Sequence, residues 1–272
     1  MIIGGILLTT VMISASDELT SSSASSLWSA IGSDEEQICR EGMVYINEPD
    51  ISYCIDRYPA AAGEDCPYPD PGSQSETRDN LQDADCRAVS EPERIPWRYL
   101  SLSQAQEACR EAGKHLPGNR SWYQAARGTP SSPPWGQDEC LLDHNRSPAP
   151  APAGSATGCV SHAGTYDQVG NVWEWVDEQV TDGQLDGTTL PKEGFITSVD
   201  SKGVVLDTDP DQPDENYGND RLWLNPEGTR GVMRGGFYGS GTDGGVYSFH
   251  AEMTPDFAGR AVGFRCVTEP DR

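Results

Sequence analysis

The sequence predicts a single domain of the α+β class, and three observations indicate it. The chain has 272 residues, which is enough to bury one substantial core. From residue 37 onwards, the apolar residues form short strand-like runs interrupted by Gly, Pro and Asp. Two segments have helical spacing instead, and neither heptads nor longer repeats occur. Short strands combined with a few short helices are typical of α+β domains.

The first predicted element is a β-hairpin. GMVYI (residues 42 to 46) and ISYCIDRYP (residues 51 to 59) are rich in β-branched and aromatic residues, which favour strands. NEPD lies between the two runs, and Asn, Pro and Asp are typical turn residues. We therefore expect the two strands to pair directly.

Two helices follow. In SLSQAQEACREAG (residues 101 to 113), Ser103 and Gln106 match a capping box, and Gly113 suits the C-terminal cap. Small apolar residues recur at helical spacing on one face, so Cys109 is predicted to face the core. SWYQAARG, residues 121 to 128, predicts a second short helix that ends at its glycine.

Two long acidic segments contain few apolar residues. They cover about residues 60 to 96 and 177 to 230, and we expect both to be surface insertions in a domain that spans residues 37 to 272. Segments of this length need tethering, and Cys66 and Cys86 are candidates to tether the first.

The N-terminal residues 1 to 36 predict a separate segment. IIGGILLTTVMI (residues 2 to 13) has the length of a signal-peptide core but is too short to span a bilayer, and no basic residues precede it. A signal, a short anchor and an assembly helix all remain open. SSSASS (residues 21 to 26) predicts a flexible linker.

The charge of the chain argues against two partner classes. Its net charge is −24, so the surface repels phosphate backbones and anionic lipids. We therefore expect no nucleic-acid partner, and membrane contact only through the N-terminal segment.

The eight cysteines predict a disulfide-bonded, exported protein. Their number is even, and no pair has the C-x-x-C spacing of zinc or dithiol redox sites. Disulfides persist in oxidising compartments, so an extracellular, periplasmic or cell-surface location is expected.

The order of the sequence motifs is similar to that of a known family. GMVYI, YCIDRYP, the first predicted helix, GNVWEWV, MRGGFYGSG and GFRCV follow one another across about residues 37 to 269. In this order and spacing they resemble the formylglycine-generating enzyme (sulfatase-modifying factor) family. The resemblance implies a C-type lectin-like fold, with twisted antiparallel sheets, two main short helices and much irregular loop.

The resemblance also implies a disulfide between Cys109 and Cys266, because several family members bridge these positions. We expect the remaining cysteines to form three further pairs. These are Cys140 with Cys159, Cys66 with Cys86, and Cys39 with Cys54 across the first hairpin.

GNVWEWV places Glu174 between two tryptophans. In a strand, Trp173 and Trp175 face one side, and Val172, Glu174 and Val176 face the other. An unpaired buried carboxylate costs on the order of several kcal/mol, so Glu174 needs compensation. The resemblance implies a structural Ca²⁺ held by Asp167, Gly170, Val172 and Glu174, whose oxygen donors suit calcium. The alternative is a hydrogen-bonded structural glutamate.

The catalytic residues of the family are absent. Formylglycine-generating members bind copper with two cysteines between the RGG and GFRC motifs, and this chain has no cysteine there before Cys266. We therefore expect neither copper nor formylglycine formation. The H-x-x-x-H-x-E pattern of the related iron enzymes is also missing, as are other common catalytic motifs.

The segment FYGSGTDGGVYSFHA (residues 237 to 251) predicts a ligand-binding face. It mixes aromatic with small polar residues, as antibody loops do. The chain is also similar here to variable proteins of diversity-generating retroelements, which place diversified ligand contacts in this interval. The predicted contacts are Phe237, Tyr238, Asp243, Tyr247, Phe249 and His250. An ordinary glycine-rich surface loop is the alternative.

The leading prediction is a non-catalytic, exported or surface-displayed protein that binds a protein, peptide or glycan ligand. A diversified receptor is one protein of this kind. Two alternatives stay open. One is an oxidoreductase-like family member of altered chemistry, and the other is a structural subunit assembled through its N-terminal apolar segment.

Overall fold

The structure, a computed structural model, describes residues 38–133, 136, 138–144 and 146–271, so the predicted N-terminal segment and linker lie outside it. The described residues form three α-helices and fourteen β-strands. The helices are α1 (Gln74–Gln82), α2 (Leu102–Glu111) and α3 (Asn119–Ala126). The strands are β1 (Met43–Glu48), β2 (Ile51–Asp56), β3 (Ala61–Ala62), β4 (Ala88–Val89), β5 (Trp173–Thr181), β6 (Gln184–Leu185), β7 (Thr188–Thr189), β8 (Gly194–Val199), β9 (Val205–Asp209), β10 (Arg221–Leu224), β11 (Thr229–Arg234), β12 (Phe249–Ala251), β13 (Val262–Gly263) and β14 (Val267–Thr268).

The predicted hairpin joins the two ends of the domain. β1 and β2 pair antiparallel from Met43 opposite Asp56 to Glu48 opposite Ile51. β14, near the C-terminal end, adds to the other side of β2 and completes a three-stranded sheet. Because β14 directly follows the GFRC motif, this pairing brings that motif against the first hairpin.

The central sheet is mostly antiparallel and is organised around β5. Its strand order is β7-β6-β5-β11-β12-β10-β8-β9, and β13 pairs with β5 in parallel. The β5–β11 register sets Trp175 opposite Met233 and Glu174 opposite Arg234. The GNVWEW and RGG motifs therefore lie side by side in adjacent strands.

The two acidic segments contain ordered elements that their low apolar content did not predict. The first carries β3, α1 and β4, and Thr77 of α1 accepts a hydrogen bond from the indole of Trp97 at 3.1 Å. The second supplies β6 to β10 of the central sheet, in which Ile196 and Leu222 are fully buried. A few apolar residues at alternate positions are enough for such strands, because the neighbouring elements cover them.

Both predicted helices are present, and both begin two residues earlier than expected. The capping box of α2 is formed by Ser101 and Gln104 rather than by Ser103 and Gln106. Gly113 adopts the predicted left-handed conformation, with φ of +67°. α3 begins at Asn119, whose backbone N–H donates to the carboxylate of Glu178 on β5. A residue distant in the sequence therefore caps this helix, which local sequence rules did not reveal.

Strand β5 separates two apolar cores, as the alternation of GNVWEWV predicts. Trp173 and Trp175 pack with α2 and Phe264 in one cluster, which we name the α2 core. Val176 packs with Trp122 of α3 in the other cluster, the α3 core. Glu174 lies between these two tryptophans in the sequence, and its side chain is fully buried.

All four expected disulfides are present, and they use all eight cysteines. The pairs are Cys39–Cys54, Cys66–Cys86, Cys109–Cys266 and Cys140–Cys159. Four disulfides in one domain indicate an oxidising environment. Among the helices of the described residues, none is long and apolar enough to cross a membrane.

Candidate ligand-binding site

The motif glutamate is compensated by an arginine from the GFRC motif. Arg265 donates to Glu174 through Nε and Nη2, both at 2.7 Å, and the indole of Trp122 donates to Oε2 at 2.6 Å. The remaining guanidinium hydrogens reach the carbonyls of Asp56 and Tyr166 at 2.9 and 2.8 Å. Two buried charges are thus paired and fully hydrogen-bonded, which is what burial of an ion pair requires.

This pairing bears on the calcium site implied by the family resemblance. Both oxygens of Glu174 already accept hydrogen bonds, and a calcium ion on the same carboxylate would lie beside the buried positive charge of Arg265 without water to screen it. Asp167 accepts a hydrogen bond from the N–H of Gly154 at 2.6 Å. Arg265 therefore already pairs with both oxygens of Glu174, and the calcium site stays a prediction.

The arginine of the RGG motif binds the backbone of the predicted ligand segment. Arg234 is fully buried and donates to the carbonyls of Ser248 and Val246 at 2.8 and 3.0 Å. Gly235 has φ of +89°, and a Cβ at this position would lie 2.2 Å from the carbonyl oxygen of Gln168. Any side chain at Gly235 would therefore clash with the backbone at Gln168. Together, the three motifs form a buried framework of the domain.

A small apolar pocket opens where β5, β11, β12 and β13 meet the loop after β12. Its volume is about 190 Å³. The residues that line it are Trp173, Met233, Phe237, His250, Met253, Phe257, Gly259, Arg260, Ala261 and Val262. Phe257 is 36% exposed at its mouth, so the pocket has an aromatic rim. We name it the apolar pocket.

The imidazole of His250 and the carboxylate of Glu252 lie beside each other at this pocket. His250 packs against the rings of Trp173 and Trp223, with centroids 5.3 and 5.9 Å away. Its Nε2 is 3.4 Å from the carboxylate of Glu252. The hydrogen bond from His250 lowers the pKa of Glu252, so this carboxylate stays ionised. The arrangement adds a polar pair to a mainly apolar cavity that Arg260 also lines.

The structure separates the six predicted contact residues into different environments. Phe237 and His250 line the apolar pocket, and the ring of Tyr238 packs against Phe237 and stacks on His144. Tyr247 lines another cavity, on the side of the α3 core. Asp243 ends a short 3-10 helix and is partly exposed.

Phe249 does not reach either surface. Its ring is fully buried in the α3 core, 5.2 Å from the guanidinium carbon of Arg234. The reason is strand alternation, since Phe249 and Ala251 of β12 face one core while His250 between them faces the apolar pocket. The composition of residues 237 to 251 predicts a single loop, and this prediction places Phe249 and His250 on one face.

Eight of the ten residues that line the pocket lie outside the predicted set, among them Trp173, Met253 and Phe257. Trp173 was assigned to the core by its motif, and the other two follow the segment that composition singled out. The run EMTPDF, with Met, Phe and Pro close together after a short strand, is the available sequence signal for them.

Four buried carboxyl groups have raised pKa values, and Asp56 is one of them. Burial raises the pKa of Asp167 to about 7, of Glu178 to about 7 and of Asp220 to about 8. Each accepts at least one backbone N–H bond, which only partly offsets the loss of hydration. Near neutral pH, the folded protein therefore carries protons that the unfolded chain releases.

We expect the melting temperature to be higher at pH 6 than at pH 8.5. A carboxyl whose pKa is higher in the folded state contributes stability that is complete below its unfolded pKa, and this contribution is lost as pH rises through 7 to 8. Asp167→Asn should reduce the pH dependence, because an amide does not titrate and Asn tolerates the positive φ of 55° at this position. The matched control is the exposed Asp65→Asn. A melting temperature that rises with pH would contradict this expectation.

The fold and the site together define a class of protein. It is a disulfide-bonded α+β domain of C-type lectin-like fold, with a buried motif framework and a small apolar pocket. The chain belongs to the family described as the sulfatase-modifying factor enzyme 1-like domain, which matches residues 52–270.

The chain is also similar to individual known proteins. The chain is 26% identical over 152 residues to inactive C-alpha-formylglycine-generating enzyme 2 of Bos taurus, which is 48% of this chain and 50% of that protein. The chain thus spans about half the length of this curated relative. Similar solved structures include PvdO from Pseudomonas aeruginosa, at 14% identity and a TM-score of 0.43 over 80% of each chain. Treponema denticola variable protein 1 has 13% identity and a TM-score of 0.41, over 85% of this chain and 100% of that chain. At these identities the likeness concerns the fold alone.

Proposed function

We propose that this protein is an exported, non-catalytic binding protein that holds an apolar side chain of a protein or peptide ligand in the apolar pocket. The observation that carries the proposal is the pocket itself, a cavity of about 190 Å³ lined mainly by aromatic and methionine side chains. Most small-molecule sites are larger, at roughly 300 Å³ or more, so this cavity suits a single inserted side chain. Such inserted anchors supply most of the binding energy at protein interfaces.

The chemistry of the pocket favours binding over catalysis. All eight cysteines are in disulfides, so no thiolate is available to bind copper as in formylglycine formation. Methionines adapt to differently shaped partners, and two of them line the cavity. The His250–Glu252 pair at its edge supplies one directional polar contact without a neighbouring nucleophile.

The location of binding can be measured with methionine methyl groups. Met233 and Met253 line the apolar pocket, whereas Met43 packs with Cys39 and Cys54 in a separate cluster. Indole added to protein labelled with ¹³C at the methionine methyls should shift the signals of Met233 and Met253 and leave Met43 unchanged. Shifts of equal size at all three, or at none, would argue against a defined pocket.

The affinity test uses peptides selected from a displayed random library on the immobilised protein. We expect the selected peptides to share one large apolar residue. Phe257→Ala should weaken their binding at least tenfold, because it removes contact area worth about 1.5 kcal/mol or more. Leu206→Ala is the matched control, since Leu206 is 50% exposed on β9 and does not line the pocket.

Both substitutions are at exposed positions and should change the melting temperature by only a few degrees. Peptides that lack an apolar anchor, or that bind the Phe257 variant as well as the wild type, would show that the ligand binds elsewhere. Conversion of a thiol peptide to an aldehyde by the wild-type protein would favour an enzyme of altered chemistry.

A further inference from the structure

A second cavity lies on the opposite side of β12 from the apolar pocket. It has a volume of about 340 Å³ and lies between the end of α3, the 3-10 helix Glu215–Tyr217 and residues 246 to 247. Tyr123 and Tyr247 line it, with ring centroids 6.0 Å apart. Tyr217 meets Tyr247 edge to face at 5.2 Å. We name this cavity the tyrosine pocket.

A buried carboxylate lies directly beneath this pocket with one oxygen unpartnered. Asp220 is fully buried, and its Oδ2 accepts from the backbone N–H groups of Tyr247 and Ser248 at 2.7 and 3.1 Å. Its Oδ1 has no hydrogen-bond partner. A buried acceptor without a partner costs free energy, which native proteins rarely accept without a reason.

Two glycines lie against this covered oxygen. A Cβ built on Gly218, which lines the pocket, would lie 3.3 Å from Asp220 Oδ1 and 3.3 Å from the hydroxyl of Ser131. A Cβ built on Gly245 would lie only 2.3 Å from the same oxygen. The oxygen is therefore covered by glycine backbone, and Gly218 is the pocket-lining residue next to it.

We propose that the tyrosine pocket binds an organic ammonium group, with the tyrosine rings around the cation and Asp220 beneath it. Tyrosine faces attract cations within about 6 Å, and more strongly when water is excluded. Burial raises the pKa of Asp220 to about 8, so the group is mostly protonated near neutral pH, and a cation at the floor would bind with release of this proton. The net charge of −24 raises the local concentration of cations around the whole protein.

The other charged groups at the pocket are compatible with a cation. Glu215 is exposed at the rim and adds a second negative charge. Arg127 also lines the pocket, but its guanidinium is 3.5 Å from the carboxylate of Glu48, which partly neutralises it. Arg234 lies behind the ring of Tyr123, and its five hydrogens are directed to carbonyls and to Asn119.

The test is calorimetric titration with tetramethylammonium and with N-acetyl-lysinamide, which represent a small quaternary ammonium ion and a lysine side chain of a peptide. Neutral tert-butanol has a similar branched shape and serves as the uncharged control. We expect binding of at least one ammonium probe and none of tert-butanol at the same ionic strength. The probe that binds more tightly identifies the source of the ammonium group.

Three variants assign the interaction to the pocket. Asp220→Asn keeps an acceptor for the two backbone N–H groups and should weaken ammonium binding at least tenfold. Tyr247→Leu should weaken it similarly, whereas Tyr247→Phe keeps the ring and should retain binding. Tyr45→Leu, on an exposed tyrosine of β1 outside the pocket, is the control.

The proposal is overturned if the wild type binds neither ammonium probe, if tert-butanol binds as tightly, or if Asp220→Asn binds as the wild type does. Melting curves accompany each titration. Because Asp220→Asn preserves the buried contacts of the side chain, its result stands even if Tyr247→Leu unfolds. The apolar-pocket proposal is independent, since Phe257→Ala should leave ammonium binding unchanged.

Discussion

Glu174→Gln should lower the melting temperature by roughly 6 to 20 °C. The substitution leaves the guanidinium of Arg265 fully buried without its counter-charge, and breaking a buried pair from one side costs about 3 to 5 kcal/mol. In a domain of this size, each kcal/mol corresponds to about 2 to 4 °C. The matched control is Glu107→Gln, which removes an exposed ion pair with Arg110 on α2 and should change the melting temperature little.

The same experiment distinguishes compensation of Glu174 by Arg265 from compensation by a calcium ion. If Arg265 compensates Glu174, the loss in Glu174→Gln is equal in chelator and in millimolar calcium. The double variant Glu174→Gln with Arg265→Met should then lose less than the sum of the two single variants, because the two residues act as one unit. A wild-type melting temperature that rises in calcium, with no such rise in Glu174→Gln, would instead support the calcium site predicted from the sequence.

Removal of the Cys109–Cys266 disulfide should cause the second large loss. This bond joins residues 157 positions apart, and in the chain-entropy model it contributes about 5 kcal/mol by restricting the unfolded chain. The bond also joins α2 to the segment between β13 and β14, which carries Arg265. We expect the double serine variant to melt at a substantially lower temperature than the wild type.

The matched control is the double serine variant of Cys66 and Cys86, which are 20 positions apart. The same model gives about 3 kcal/mol for that ring, so its loss should be smaller. Peptide mapping of unreduced wild type confirms which bonds are present. A Cys66–Cys86 variant that loses as much stability as the Cys109–Cys266 variant would show that ring size does not set the order.

Much of the framework is predictable because it follows from rules that involve only residues close together in the sequence. The β1–β2 hairpin follows from two strand-forming runs around NEPD, and the face of α2 that carries Cys109 follows from helical spacing. Alternation in GNVWEWV correctly separates Trp175 from Val176 into two cores. The missing cysteines before Cys266 are read directly from the sequence, and the structure pairs the remaining ones in the expected order.

The candidate sites are only partly predictable from the sequence. Composition singled out residues 237 to 251, and Phe237 and His250 do line the apolar pocket. Composition does not state which residues of a segment form a strand, so Phe249 was placed on a face that β12 turns away from. It also gave no reason to join Tyr123, Tyr217 and Tyr247, which are far apart in the chain and meet only through packing on the α3 core.

The sequence by itself determined the fold class, the family, the position of the two main helices within two residues, and the need to compensate Glu174. The tertiary structure alone decided what compensates it. Arg265 is 91 residues away, and its approach depends on β13 pairing beside β5 and on the bond between Cys266 and α2. Periodicity encodes which side of an element is buried, because that depends on neighbours in sequence. The identity of the partner depends on long-range packing, which no local pattern records.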